Sequence, residues 1–291
     1  MQVALHFGAH FTDHSKLIRC LGKNRDKLAQ QGISVPQPSK YRRQLTSLLH
    51  DMRTTPMGGD EGASFISSIC DIPNPSRIVM SNTNFLGTPN LALAKGLIYP
   101  KAAGRLGDFC DLFQANSVEL FLAICNPATF LPTLFTESTE TDFDTFIGPT
   151  SPLELRWSEL IERIREAVPD VPLNVWCNED TPLIWEQVVR DLAGVEPMEV
   201  LDGRHDLLSE IMTPDGMKRF ESYLVSHPDM TEVQKRRVIA AFLDKFALEE
   251  ELEQELDLPG WSNEFIEVLS ETYDDDVYQI QRMPGVTLIS P

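Results

Sequence analysis

Residues 1–16 read Met1-Gln2-Val3-Ala4-Leu5-His6-Phe7-Gly8-Ala9-His10-Phe11-Thr12-Asp13-His14-Ser15-Lys16. The run from Val3 to Phe7 is almost continuously apolar, which is typical of a strand buried on both faces of a sheet. Gly8 then permits a tight turn, and the residues after Ser15 repeat apolar side chains at helical spacing up to Gly32. This opening therefore predicts a strand, a turn and a helix.

Three later runs, 77–81, 118–124 and 172–176, have the same apolar character, and helical patterns lie between them. The clearest helices are predicted over 153–168 and from Thr181 onward, where a proline follows a capping residue. Strands separated by helices imply right-handed crossovers and a parallel sheet. We therefore predict an α/β fold over residues 1–202, in which a parallel sheet is flanked by helices.

Helical patterns dominate after residue 202, and they include a row of leucines at 248, 252 and 256 within a run of glutamates. No Gly/Ser/Pro-rich linker separates the two regions. Residues 203–291 are therefore predicted to form a helical C-terminal region packed on the same domain. Residues 54–62, which contain Pro56 and three glycines, form the predicted mobile loop.

The charge of the chain is strongly negative, with a formal net value of −19. Negative charge repels the phosphodiester backbone, so a nucleic-acid partner is not expected. Residues 1–53 depart from this trend, because they hold nine basic side chains against three acidic ones. This asymmetry is typical of an anion-binding region and favours a small anionic ligand or a nucleotide, with solvated helix faces as the alternative.

The five cysteines are scattered and never form a Cys-x-x-Cys pair, which indicates neither a disulfide framework nor a zinc site. The sequence has no signal-peptide pattern and no apolar stretch of membrane-spanning length. We therefore expect a cytoplasmic protein without a membrane partner. No feature of the sequence indicates an oligomeric state.

The turn and the helix after it match a known pattern. The turn reads Gly8-Ala9-His10-Phe11-Thr12-Asp13-His14-Ser15, and the helix leads to Asn24-Arg25-Asp26-Lys27-Leu28-Ala29-Gln30-Gln31-Gly32-Ile33. Many bacterial sulfotransferases carry G-x-H-K-T-G-T-(S/T) after the first strand and then N-R-(D/E)-x-L-x-x-x-G-I. The chain thus resembles the sulfotransferase family, a branch of the P-loop fold. The resemblance implies a sulfotransferase-like α/β fold that binds 3′-phosphoadenosine 5′-phosphosulfate.

Two further segments extend the resemblance over residues 1–135. In the family, an arginine at a strand end binds the 3′-phosphate, an Asn-Pro or Asp-Pro pair follows, and a serine lies eight residues after the arginine. Here Asn126 and Pro127 follow the run 118–124, and Thr133 supplies a hydroxyl at the serine position. The sequence Ser81-Asn82-Thr83 lies where some members carry Ser-x-Glu with a general-base glutamate.

The charged groups of the family are replaced at each of these positions. Phe11 stands in place of the loop lysine, Asp13 in place of a loop glycine, Cys125 in place of the arginine and Thr83 in place of the glutamate. Sulfuryl transfer needs cations that neutralise the charge building on the leaving phosphate. The sequence therefore predicts a sulfotransferase-like protein with lost or altered sulfuryl transfer, acting in anion or ligand binding or in protein interaction.

The predicted site consists of residues at or beside the family's cofactor positions: Gly8, His10, Thr12, His14, Ser15, Lys16, Asn126 and Thr133. No catalytic residue is assigned and no metal is predicted. The cofactor 3′-phosphoadenosine 5′-phosphosulfate is expected only if the activity of the family is retained. Glu179 and Asp180 follow the fourth predicted strand, and Asp180 is expected to cap the next helix.

Two alternatives remain. A divergent active sulfotransferase would use Lys16 or Arg19 in place of the missing lysine, although a helix starting near Asp13 is expected to direct both side chains to solvent. A metal-dependent hydrolase would use His10 and His14, although Asp13 between them is more simply a helix cap.

Overall fold

The computed structural model describes residues 1–54, 59–248, 258 and 260–291. The strands within these ranges are β1 (Gln2–His6), β2 (Ile33–Ser34), β3 (Arg77–Ser81), β4 (Leu93–Ala94), β5 (Leu97–Ile98), β6 (Ser117–Ile124), β7 (Leu173–Cys177) and β8 (Val286–Ile289). Strands β4 and β5 form a small antiparallel pair. The other six form a parallel sheet in the order β2-β3-β1-β6-β7-β8.

Helices flank the parallel sheet, as the predicted fold class requires. Those of the described ranges are α1 (Lys16–Lys23), α2 (Arg25–Gln30), α3 (Pro38–Thr54), α4 (Glu61–Ile69), α5 (Ala102–Leu112), α6 (Pro127–Thr136), α7 (Phe143–Ile147), α8 (Trp157–Ala167), α9 (Thr181–Ala193), α10 (Asp206–Ile211), α11 (Pro214–Ser226), α12 (Glu232–Phe246) and α13 (Asn263–Ile280). The α/β prediction is therefore confirmed.

Both faces of β1 are covered, which explains its almost continuous apolar run. Val3 and Leu5 pack in a cluster with residues of α3, α5 and α8, whereas Ala4 packs in a second cluster with residues of α1 and α9. All three side chains are fully buried. Burial of a valine or leucine side chain stabilises a fold by about 1.5–3 kcal/mol, so the strand is held strongly from both sides.

The four predicted strands are confirmed as β1, β3, β6 and β7. Strands β2 and β8 were not anticipated. Strand β2 has only two residues, and β8 lies within the region predicted to be helical. Strand β8 pairs in parallel with β7, so the C-terminal region contributes an edge strand to the sheet as well as helices.

The helix predicted over 15–31 is divided into α1 and α2 at Asn24. The Asn24 side chain donates from Nδ2 to the carbonyls of Cys20 (3.0 Å) and Asp202 (2.8 Å), and its Oδ1 accepts the N–H of Asp202 (2.7 Å). An asparagine side chain that bonds the preceding turn competes with the helical backbone pattern. The break therefore fastens the segment around Asp202 to the first helix.

Helices α10, α11 and α12 form a third, smaller cluster around Phe220, Phe242 and Phe246. Helix α13 instead joins the main cluster through Leu269, Tyr273 and Ile280, and it contacts α6 and α8. The predicted leucine positions 252 and 256, the glutamate run at 249–257 and residues 55–58 of the predicted mobile loop lie outside the described residues.

Across the ranges given above, no helix combines the length and the apolar character needed to cross a membrane. All five cysteines are free.

The first turn of α8 is capped by a residue of α13. Arg156 at the N-cap position makes no side-chain capping bond. Instead, Asp276 accepts the N–H groups of Trp157 (2.7 Å) and Ser158 (3.3 Å) with one carboxylate oxygen, Oδ2. Asp276 is only 3% exposed, and burial raises its pKa while these hydrogen bonds lower it. Helices α8 and α13 are thus joined by a buried charged hydrogen bond.

We expect Asp276→Ala to lower the free energy of unfolding by about 2–3 kcal/mol, because two buried N–H groups lose a charged acceptor. Its exposed neighbour provides the matched control, and Asp275→Ala should change stability by no more than about 0.5 kcal/mol. Urea denaturation of both variants measures the difference. Equal stabilities of the two variants would show that the cap does not stabilise the fold.

Candidate functional site

The chain changes its direction of progress through the sheet between β1 and β6. The connections after β1 lead to β2 and β3 on one side, whereas β6 is followed by β7 and β8 on the other side. In open parallel sheets, ligands bind at such a switch point, outside the carboxyl ends of the strands. The ends of β1 and β6 therefore mark the expected site.

A cleft of about 350 Å³ lies at this switch point. Aromatic walls come from Phe11, Phe130, Trp176 and Trp185. Polar side chains from five segments complete the lining: Thr12, Asp13, His14, Lys16, Thr129, Thr133, Asn178, Glu179 and Thr181. A concave, partly aromatic surface with a small number of polar groups is the usual form of a small-molecule site.

The backbone after β1 continues along β6 before it turns. The N–H of Ala9 donates to the carbonyl of Ala123 (2.7 Å), and the N–H of Ala123 donates to the carbonyl of Gly8 (2.6 Å). Gly8 has a φ of +115°, and a Cβ at this position would lie 3.2 Å from the backbone nitrogen of His10. Glycine is therefore required here by the path of the backbone.

Beyond Ala9 the loop turns through left-handed conformations at Phe11, His14 and Ser15. The backbone N–H groups of Asp13, His14 and Ser15 have no hydrogen-bond acceptor among the described residues. Free N–H groups ahead of a helix form a concavity that suits an anion. The backbone of the turn thus keeps one property of a phosphate-binding loop.

The Asp13 carboxylate opposes anion binding at this turn. Its Oδ2 accepts the N–H of Leu17 (3.3 Å), its backbone carbonyl accepts the N–H of Lys16 (2.7 Å), and the side chain is buried. The N-cap residue of α1 is Ser15, which makes no side-chain capping bond, so the expectation that Asp13 is the N-cap was wrong. The Asp13 carboxylate instead bonds an N–H of the first turn from two residues before the N-cap. A carboxylate about 4 Å from a bound anion would repel it by about 1–4 kcal/mol, depending on the local dielectric.

His10 is held inside the protein instead of facing the cleft. The Tyr99 hydroxyl accepts the backbone N–H of His10 (2.9 Å) and lies 2.6 Å from its Nδ1, while Nε2 lies 3.0 Å from Oδ1 of Asn84. The fully buried hydroxyl must donate its own hydrogen to Nδ1, so Nε2 carries the imidazole proton and donates it to Asn84. Burial lowers the pKa of His10, which favours this neutral form.

Lys16 lines the cleft, contrary to the expectation that it points to solvent. Its Nζ lies 2.5 Å from a carboxylate oxygen of Glu210, on α10. Arg19 is exposed, as expected, and its guanidinium donates to the carbonyl of His14 (3.3 Å). Helix α10 borders this part of the cleft, and Lys16 is already paired there, although the side chains of Lys16 and Glu210 are 27% and 49% exposed.

The end of β6 and the helix after it, α6, each provide a neutral residue to the cleft. Cys125 is buried, and burial raises the pKa of its thiol well above the usual value, so it remains protonated. Thr133 lines the cleft one helical turn beyond Thr129 and donates to its carbonyl (2.8 Å). Asn126 lies outside the lining, where it caps α6 by accepting the N–H of Ala128 (2.9 Å).

Glu179 is a polar residue of the cleft that the sequence analysis did not select. Its carboxylate accepts the N–H of Asn126 (2.7 Å) and the hydroxyl of Tyr273 (3.1 Å), so it connects the ends of β6 and β7 with α13. Loss of solvent around the carboxylate raises the pKa of Glu179, and both bonds oppose this rise. Asp180 occupies the N-cap position of α9, as expected, but its side chain makes no capping bond.

Four of the eight predicted site residues meet at the cleft: Thr12, His14, Lys16 and Thr133. The other four, Gly8, His10, Ser15 and Asn126, lie outside its lining and act on the path of the chain instead. Gly8 and Ser15 supply left-handed backbone conformations, and His10 and Asn126 hold the loop and α6 in place.

His10 and His14 do not form a metal site. Both ring nitrogens of His10 are already bonded inside the protein, whereas His14 is an exposed side chain at the cleft. In the part of the chain that the structure describes, no group of three or more histidine, cysteine, aspartate or glutamate side chains could hold a metal ion. The hydrolase alternative therefore lacks a set of ligands.

Comparison with known proteins gives one distant likeness. No protein-family model and no curated protein matches the chain. The crystal structure of a sulfotransferase from Alicyclobacillus acidocaldarius is similar at 15% sequence identity and a TM-score of 0.37, over 82% of this chain and 97% of that one. What the cleft can do chemically therefore follows from its own side chains.

We expect Tyr99→Phe to destabilise the protein by about 1–3 kcal/mol, because the buried His10 loses partners for both its N–H and its Nδ1. Tyr223→Phe is the control, since Tyr223 is partly exposed and its hydroxyl has no partner in the described ranges. Urea denaturation measures both variants. If Tyr99→Phe were as stable as Tyr223→Phe, the hydroxyl would not be what holds the loop.

Proposed function

We propose that this chain is a ligand-binding protein that takes a small, largely apolar molecule in the cleft and does not transfer a sulfuryl group. The observation that carries the proposal is the pairing of Lys16 with Glu210. Among the described residues that line the cleft, Lys16 is the only lysine or arginine. Its ion pair leaves no free ammonium or guanidinium group to meet a phosphosulfate.

The remaining charges of the cleft support the same conclusion. Asp13 and Glu179 are acidic, and Cys125 is a protonated thiol at the position where the sulfotransferase family carries an arginine. Stabilisation of a leaving phosphate requires cations arranged in advance around it. A nucleotide with several phosphate charges would instead meet two carboxylates.

The aromatic side chains indicate the kind of ligand that would gain from this site. Trp176 is held by a stacked contact with His6 at 5.7 Å, and the Trp185 indole donates to the carbonyl of Gly203 (3.0 Å). Both rings are fixed and almost fully buried, so each presents only a small part of its surface to the cleft, and Phe11 is the more open aromatic side chain. Thr12 and Thr133 supply a few polar groups beside this surface.

A divergent sulfotransferase is the second candidate, and two observations favour it. Lys16 lines the cleft, although it was expected to point to solvent, and the backbone N–H groups of residues 13–15 are free within the described ranges. For this activity, Lys16 would have to leave Glu210 and turn to the phosphates of the cofactor.

Titration with 3′-phosphoadenosine 5′-phosphate separates the two candidates. We expect no saturable heat in the micromolar range with the unmodified chain, because Asp13 and Glu179 repel the phosphates and Lys16 is paired. Glu210→Gln frees Lys16 and should bind the nucleotide about tenfold more tightly than the unmodified chain, equivalent to about 1.4 kcal/mol.

Two variants of α1 test the opposite outcome, in which the unmodified chain binds the nucleotide. Lys16→Ala removes the ammonium group at the cleft, and Lys23→Ala removes an equivalent ammonium group that pairs with Asp206 on α10. Micromolar binding by the unmodified chain that is lost in Lys16→Ala and kept in Lys23→Ala would overturn the proposal in favour of a sulfotransferase.

Occupancy of the cleft by an apolar molecule is tested with a neutral fluorescent probe, N-phenyl-1-naphthylamine. We expect saturable binding that Thr133→Trp reduces at least tenfold, because the indole fills the cleft. Thr136→Trp adds the same group to an exposed position of α6 outside the lining and should bind as the unmodified chain does. Equal binding by both variants would place the probe elsewhere and contradict the proposal.

A further inference from the structure

A second cavity of about 160 Å³ lies between α3, α5 and the turn that follows β3. Its charged and polar lining includes Arg53, Arg105, Asp108 and Asn84. None of its lining residues also lines the cleft. The cavity is therefore separate from the proposed ligand site at the ends of β1 and β6.

Arg105 has more hydrogen-bond donors than partners. A guanidinium carries five N–H donors. Here one nitrogen donates to the carbonyl of Phe85 at 3.3 Å, while the buried Nε has no partner in the described part of the chain. Because this Nε is enclosed by protein, the donors that an anion can reach are those of the two terminal nitrogens, one of which already bonds Phe85.

Arg53 adds a second guanidinium at the same cavity. It lies close enough that its positive charge lowers the pKa of Arg105, an effect second to that of burial, while Asp108 acts in the opposite direction. Arg53 already holds Asp108 through Nε and a terminal nitrogen, both on the same carboxylate oxygen. One carboxylate therefore faces two cations, and the cavity carries an excess of positive charge.

Asn84 contributes a neutral donor. Its Oδ1 is occupied by the Nε2–H of His10, which fixes the orientation of the amide. The Nδ2 group is then left without an acceptor among the described residues. His50, an exposed side chain of α3, also lines the cavity.

We propose that this cavity binds an oxyanion, held by Arg53, Arg105 and the amide of Asn84. Guanidinium groups present paired N–H donors that match the oxygens of phosphate, sulfate and carboxylate. The apolar residues of the lining are Leu45, Leu49, Phe85 and Phe109, which suits a compact apolar group attached to the anion. The ligand class is therefore a small organic phosphate, sulfate or carboxylate.

The sequence gives independent support. Arg53 belongs to the segment 1–53, whose excess of basic residues departs from the negative charge of the chain. The four lysines of that segment, Lys16, Lys23, Lys27 and Lys40, are each paired with a carboxylate. Arg53 is paired as well, with Asp108, but Asp108 is the single carboxylate of the cavity lining and Arg105 also lies there, so one positive charge is left over for a ligand.

The test is a thermal-unfolding titration of the full chain with phenyl phosphate and with inorganic phosphate, against sodium chloride at equal ionic strength. A ligand that binds the folded state raises the midpoint in a saturable way. We expect phenyl phosphate to do so, and Arg105→Gln to weaken its binding at least tenfold. A stronger effect of phenyl phosphate assigns an organic anion, and equal effects assign the free ion.

Three further variants make the test specific. Arg43→Gln removes the same charge from an exposed position of α3 outside the cavity and should bind as the unmodified chain does. Arg53→Gln should also lose binding, and it serves if Arg105→Gln does not fold. Thr133→Trp fills the cleft and should still bind phenyl phosphate at the separate cavity. Failure of this proposal can therefore be distinguished from failure of the proposed function.

Two results would overturn the proposal. One is a midpoint that rises no further in phosphate or phenyl phosphate than in sodium chloride. The other is an equal response of Arg105→Gln, Arg53→Gln and Arg43→Gln, which would show a general effect of anions on the surface of the protein.

Discussion

The site depends on the backbone pairing that extends β1 along β6 as far as Ala9. Two short hydrogen bonds between Gly8, Ala9 and Ala123 keep the chain extended beyond the end of the strand. The turn into α1 is therefore displaced to residues 10–15, and it needs left-handed conformations at three non-glycine positions. Such conformations persist only where the surroundings impose them. Tyr99 provides that support, because its hydroxyl binds both the backbone N–H and the Nδ1 of His10.

The central sheet could be predicted from the sequence because its strands are buried on both faces. That burial leaves an almost continuous apolar run at β1, β3, β6 and β7. Strand β2 is too short to form such a run. Strand β8 is partly exposed along its length, so it lacks the pattern.

The position of the cleft could also be predicted, because the first strand end and the polar turn are adjacent in the chain. Its chemistry could be predicted only in part. The sequence itself shows that positions 11 and 125 carry no cation. It does not show that Tyr99 binds His10 or that Glu210 pairs with Lys16, because these partners are distant along the chain. Spacing along a helix predicts which face a side chain takes, but not which later element covers that face.

Charge is distributed between the two cavities in opposite ways. The cleft combines Asp13 and Glu179 with a lysine that is already paired, whereas the cavity between α3 and α5 combines two arginines with one carboxylate. The positive charge of residues 1–53 is thus partly consumed by ion pairs with the acidic remainder of the chain. The paired, partly exposed lysines fit the interpretation as helix faces, and the interpretation as an anion-binding region stays a prediction.

The cap that Asp276 places on α8 bears on the order of folding. The N–H of Trp157 and the carboxylate that receives it are 119 positions apart in the sequence. A helix whose first turn is completed by so distant a residue cannot reach its final stability while only the preceding chain exists. During synthesis, α8 therefore reaches its final stability only after α13 has been made. Contacts of such long range also slow folding, because a large loop must close first.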